Sequence, residues 1–183
     1  MKNILTDQEQ KERFDRAGND SKNRFRKTRA LHFSAKKLFD IYRKAVDETI
    51  KMKSGVTGKA TNAMYIIDQV ILLEGFAIEC LLKGLYVCDG NKIVENGKLI
   101  KTSHNLLRRC ELTKIEVDKG DKERLEILSL AIISYGRYPI ANKYEKNPLI
   151  RTIKFGYKPT YIRHYDYMIQ IENFIIGILG DDE

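Results

Sequence analysis

The sequence predicts an all-α fold, a four- to six-helix bundle with a small β-hairpin inserted near residues 92–101. Three observations predict it. Apolar residues recur at three- and four-residue spacing over most of the chain, the mark of helices with one buried face. Only 3 prolines interrupt 183 residues, and hydrophobic residues make up 43% against 32% charged, a globular composition. One Asn-Gly dipeptide, Asn96-Gly97, stands between short β-prone runs and signals a type I′ turn.

Taken in order, Thr6-Asp7-Gln8-Glu9 reads as a capping box that opens a short, charged helix ending near Gly18. Residues 19–29 read as a basic linker, so that 1–29 forms an N-terminal arm and 30–183 the bundle domain. From Leu31 to Met52 the residues Leu31, Ala35, Leu38, Phe39, Tyr42, Val46 and Ile50 keep helical spacing. Ser54-Gly55 and Thr57-Gly58 break the chain. A long helix capped by Thr61 or Asn62 follows to about Val87, and Asp89-Gly90 ends it. It is apolar on most of its surface, which suits the centre of a bundle. Lys92 to Ile100 form the hairpin. Ser103 caps a helix from His104 to Leu112, and Asp118 or Asp121 starts another that carries Leu125, Leu128, Ala131 and Ile132 inward. Gly136-Arg137-Tyr138-Pro139 stops it. Residues 140–159 read as a basic loop with a short strand near Ile150 to Phe155, and a last helix spans Thr160 to Leu179.

Composition excludes several function classes. The apolar stretch from Ala63 to Val87 carries Asp68, Gln69, Glu74, Glu79 and Lys83, too many polar groups for a membrane span. No cationic segment followed by an apolar run opens the chain, so no signal peptide is expected. Cys80, Cys88 and Cys110 lack metal-ligand spacing and read as buried, reduced thiols, which places the protein in the cytoplasm. Phosphate loops, dinucleotide fingerprints, metalloprotease motifs and nucleophile elbows are missing, so neither a metal nor an organic cofactor is expected.

The net charge of +8 is concentrated. Up to residue 60 there are 16 Lys and Arg against 8 Asp and Glu, and beyond it the two balance. The densest part is Lys22, Arg24, Arg26, Lys27 and Arg29, with Phe25 among them. Such a patch holds phosphates by a salt-sensitive attraction, or forms a solvated arm.

Four further residues stand out. Glu79 and Lys83 are one turn apart in an apolar helix, so each is the other's nearest partner if buried. They form a structural ion pair or orient a third group. His104, placed in the first turn of its helix, faces unsatisfied N–H groups whose field favours neutral imidazole, as a general base requires, or it only hydrogen-bonds locally. Arg137, with Tyr138 beside it in a rigid turn, presents a guanidinium to a phosphate, caps helix carbonyls, or pairs with Glu79. Arg163-His164 among Tyr157, Tyr161, Tyr165 and Tyr167 reads as an interface strip.

The segment Leu72 to Leu85 resembles the hxxExxLKxLL helix of bacterial HEPN-like proteins. The His104-Asn105-Leu106 element and the Gly136 to Pro139 turn fit the same group, and the likeness spans residues 60–140. It implies a four- or five-helix bundle that commonly dimerises, and a place among toxin–antitoxin, phage-defence and other RNA-targeting systems with a cognate partner protein. Active ribonucleases of that group carry Arg-x4-His on one helix. Here Lys27, Leu99 and Pro159 precede the three histidines at that spacing, so the pair does not transfer. RNA cleavage then requires Arg137 and His104 to meet through the fold, with Arg137 on the phosphate and His104 activating the 2′-hydroxyl without metal. A non-catalytic dimerisation or adaptor module, its polar cluster fixing helix register, is the competing expectation.

Overall fold

The computed structural model describes residues 5–51, 58–100 and 103–134. Among them the chain is all-α, with five helices and one two-stranded antiparallel hairpin. The turn at Gly136–Pro139, the loop and strand expected over 140–159, and the last helix lie outside the described residues.

Helix α1 spans Asp7–Gly18 and opens with the expected capping box. The Thr6 hydroxyl accepts from the Glu9 N–H, and the Glu9 carboxylate accepts from the Thr6 N–H at 2.7 Å. Its far end is anchored. The Asn19 side chain accepts from the N–H groups of Ile93 and Val94 and donates to the Val94 carbonyl at 2.7 Å, in the manner of an added strand. Asp15 accepts the N–H groups of Asn96 and Gly97, both at 2.8 Å.

Helix α2 spans Ser21–Lys51 and overturns the linker expected over 19–29. The Asp20 carboxylate accepts the Asn23 N–H and caps the start. No Gly or Pro follows until after Lys51, and Lys and Arg are good helix formers. Charge density had suggested a linker, yet Phe25 and Thr28 continue the inward row of His32, Ala35, Phe39 and Tyr42 at alternating three- and four-residue steps. The expected boundary at residue 29 therefore falls inside one continuous helix.

Helix α3 spans Gly58–Cys88, starting before the expected cap at Thr61 or Asn62. It runs antiparallel to α2: Phe25 covers Gly84, the Thr28 hydroxyl donates to the Ala77 carbonyl at 3.3 Å, and Ala35 and Phe39 pack on Val70. A Cβ on Gly84 would come within 2.4 Å of the Phe25 ring, so a glycine inside a helix, costly in itself, is here a packing requirement. Helix α3 ends at Asp89-Gly90, with Gly90 in the left-handed region at φ 82°.

The hairpin pairs β1 (Val94–Glu95) with β2 (Lys98–Leu99) in the register Val94 to Leu99. Asn96 and Gly97 have φ of 53° and 72°, both positive as a type I′ turn demands. Helix α4 (Leu106–Leu112) and helix α5 (Lys119–Ser134) cover the other side of α3. Leu81, Leu82 and Ile78 of α3 meet Leu106 and Cys110 of α4 and Leu128 and Ile132 of α5 in the main core. Contact on both sides explains why α3 is apolar all round, as expected of the central helix.

Candidate functional site

The polar cluster gathers on the α3 turn that carries Glu79 and Lys83, at the edge of the main core. Glu79 is 3% exposed, and its carboxylate has three neighbours. Lys83 donates to Oε1 in a very close contact. His104 Nδ1 lies 2.9 Å from Oε2. Arg109 Nη2 stands 3.9 Å from Oε1. Burial alone would push the Glu79 carboxyl up. The hydrogen bonds and charges of His104 and Lys83 outweigh it and hold the carboxyl below its ordinary range. Glu79 is thus an ionised centre that holds basic side chains from two elements, and it brings Lys83 and His104 together, a convergence that the sequence left open.

His104 reaches that place by a different local route from the one expected. Helix α4 begins at Leu106, with Asn105 as its cap, whose side chain accepts the Arg108 N–H at 3.0 Å. Ser103 does not cap the helix; its hydroxyl accepts the Asn105 N–H at 3.2 Å. His104 therefore precedes the first turn, and its environment is set by the Glu79 carboxylate rather than by helix N–H groups. Asn105 wins because its side chain closes on the N–H three residues ahead, the geometry a cap needs. With Nδ1 on Glu79, Nε2 is the ring nitrogen left for another molecule, and the side chain is 30% exposed.

Sequence reasoning missed Arg109. It is 5% exposed on the buried face of α4, between Leu106 and Cys110. Its Nε donates to the Ser103 carbonyl at 2.8 Å, and Nη2 donates to the same oxygen. Burial lowers its pKa, while the Glu79 charge opposes that shift. Arg109 thus ties the residue before His104 to the charge centre. The signal was available: a basic residue at the spacing of Leu106 and Cys110 must turn inward with them. Ser129 of α5 completes the support, its hydroxyl accepting the Leu106 N–H at 3.0 Å.

The structure divides the expected basic patch. Lys22, Arg26 and Arg29 share one outer face of α2. Arg24 faces elsewhere, half-buried, with Nε donating to the Gly18 carbonyl at 3.2 Å and Nη2 to the same oxygen. Burial lowers its pKa against the opposing charges of Cys80 and Glu79. Arg24 therefore joins α1 to α2 and is removed from the phosphate-binding set. Lys27 is exposed, on the side that faces Cys80. Arg137 and Tyr138 lie outside the described residues.

A second buried pair was also missed. His32 Nδ1 lies 2.9 Å from Glu74 Oε1 across the α2–α3 contact, and the two are 8% and 0% exposed. Both occupy inward positions of otherwise apolar rows, and facing polar residues on two such rows are the signal that would have found them. Among the described residues no group of three or more His, Cys, Asp or Glu side chains is placed to hold a metal ion, and no helix is long and apolar enough to cross a membrane. Comparison with protein-family models, with curated proteins and with solved structures returns no match.

Proposed function

We propose that this chain is a HEPN-like, RNA-directed protein of a prokaryotic defence or toxin–antitoxin type system, acting as a metal-independent endoribonuclease. The observation that carries the proposal is the Glu79–His104 contact. A buried, ionised carboxylate on Nδ1 favours the tautomer with Nδ1–H and leaves Nε2 as a base at the surface. In the reaction Nε2 takes the proton of a ribose 2′-hydroxyl, and the 2′-oxygen bonds to the adjacent phosphorus. The bond from phosphorus to the 5′-oxygen breaks, and the imidazolium returns its proton to that oxygen. The products are a 2′,3′-cyclic phosphate and a 5′-hydroxyl end. Glu79 stabilises the imidazolium, Lys83 adds positive charge at the rim, and Arg109 is a positioning residue too buried to reach substrate. Arg137 takes the phosphate in this reading, with Tyr138 beside it.

The wider setting is proposed on the same basis: a homodimer, a cognate partner protein, and the cytoplasm, which suits three free thiols. A second reading has its own support. Lys83 and Arg109 are both satisfied within the cluster, as in a structural charge centre of a non-catalytic dimerisation or adaptor module.

One assay separates the two. RNA is incubated with purified protein in chelator, wild type beside His104→Ala and Arg137→Ala, with folding checked by circular dichroism. Cleavage to 2′,3′-cyclic ends that either substitution abolishes supports the ribonuclease. Folded wild-type protein that leaves RNA intact refutes it and favours the adaptor.

A further inference from the structure

The outer face of α2 carries a row that no part of the cluster uses. Lys22, Arg26, Arg29, Phe33, Lys37, Asp40 and Lys44 follow one another at steps of three or four residues, so they lie along one side of the helix. The core row of Phe25, Thr28, His32, Ala35 and Phe39 points elsewhere, toward α3. Lys22, Arg26, Lys37 and Lys44 are exposed, Arg29 is half-buried, and Asp40 is the one acid of the row. Phe33 sits at its middle, 61% exposed, the most exposed large apolar side chain of the described residues. Lys37 Nζ lies 5.2 Å from its ring centroid. From Lys22 to Lys44 the row extends about 33 Å, at about 1.5 Å per helical residue.

Single exposed apolar side chains are common, so what marks Phe33 is its place in the middle of a row of cations, with Lys37 over its face. A line of cations at intervals matches a phosphate backbone, and an aromatic face among them matches a base that is free to stack. A duplex hides its base faces, so an aromatic platform distinguishes single strands. We propose that this face of α2 is a single-stranded RNA track, with Phe33 stacking one base and Lys22, Arg26, Lys37 and Lys44 holding phosphates on either side of it. The inference rests on the RNA-directed reading above and names its substrate class. On binding, the Lys37 ammonium leaves the Phe33 ring for a phosphate, and the base takes its place. Because α2 and α3 pack along their length, a strand on this track is held by the same two-helix unit that carries Glu79 and Lys83.

The test is fluorescence anisotropy with a labelled oligouridylate longer than the row and with a duplex RNA of equal length, over a salt series. The expected result is preference for the single strand and a salt slope of about 3 for four phosphates neutralised. Phe33→Ala and Phe33→Leu each weaken single-strand binding about tenfold without changing that slope, and Phe33→Trp retains it. Lys22→Gln/Arg26→Gln/Lys37→Gln lowers the slope by about 2. Phe33 is exposed, so its variants keep the fold.

Equal affinity for duplex and single strand, with no effect at Phe33, overturns the proposal. So does a change of oligomeric state in Phe33→Ala without a change in RNA affinity, which would assign the face to a protein contact. Cleavage of the dinucleotide UpA, too short to reach along the row, reports on the His104 site without the track. If UpA is cleaved while the Phe33 variants bind RNA normally, the track fails and the ribonuclease stands. If oligouridylate binds through the track while UpA stays intact, the reverse holds.

Discussion

Replacing Glu79 by Gln is the sharpest perturbation of the charge centre, because it keeps the shape and removes the charge. The carboxylate is 3% exposed and faces Lys83, His104 and Arg109. The amide can still accept from Lys83 through its oxygen while its NH2 group meets His104, whose ring can change tautomer. The two permanent cations lose their counter-charge. Lys83 and Arg109 side chains are only 13% and 6% exposed, so water replaces little of it. Removing one partner of a buried pair costs about 3–5 kcal/mol, and relaxation at the rim beside His104 sets the expected value at the low end, about 3 kcal/mol.

For a chain of this size that loss corresponds to a fall in Tm of about 6–12 °C. Urea unfolding followed by circular dichroism, with tyrosine fluorescence as a second probe of two-state behaviour, measures it. Adding Lys83→Met should recover part of the loss, since it removes one of the stranded charges, and the double-mutant cycle gives the coupling. The pH dependence follows from the same geometry. The folded carboxyl titrates below the ordinary glutamate value of 4.5, so in that window the unfolded chain binds more protons. The contribution of Glu79 is complete above pH 4.5 and is lost as pH falls through the folded value, and Glu79→Gln should flatten this acid limb. A loss under about 0.5 kcal/mol, with the acid limb unchanged, would match a surface site and refute the buried-centre argument.

Two more outcomes are open to direct measurement. Burial, with Asp121 and Glu111 nearby, pushes the Cys110 thiol up to about 11, whereas Cys88, expected to be buried, is exposed at the end of α3. Iodoacetamide pulses read by mass spectrometry should therefore label Cys88 in the folded protein and Cys110 only in denaturant; equal native rates would contradict the α4 packing. Asn19→Ala strips the partners from the Ile93 and Val94 N–H groups and the Val94 carbonyl. The local cost is about 2 kcal/mol, or roughly thirtyfold faster amide exchange at Ile93 and Val94, and unchanged protection there would show that the hairpin stands without α1.

The parts of the fold that were legible are those written in short-range chemistry. Thr6 and Glu9 cap α1 because the two residues that bond are three apart, and Asn96-Gly97 turns the hairpin because both accept positive φ. The apolar surface of α3 marked it as central before any neighbour was known. Where short-range signs competed, the reading failed. Five basic residues between Lys22 and Arg29 looked like a linker, and only the burial of Thr28 and the packing of Phe25 on Gly84 show why the helix runs through them.

The candidate site divides in the same way. That Glu79 and Lys83 would meet follows from helical pitch, which four-residue spacing already encodes. That His104 lies on the same carboxylate depends on where α4 crosses α3, which no local pattern encodes. The fold also decided that Arg109 turns inward to clamp Ser103, that Arg24 is spent on the end of α1, and that His32 faces Glu74 across α2 and α3. The physical reason is common to all four. A charged group removed from water must find its partner wherever the packing of apolar faces delivers one, and that packing is settled by the whole core at once.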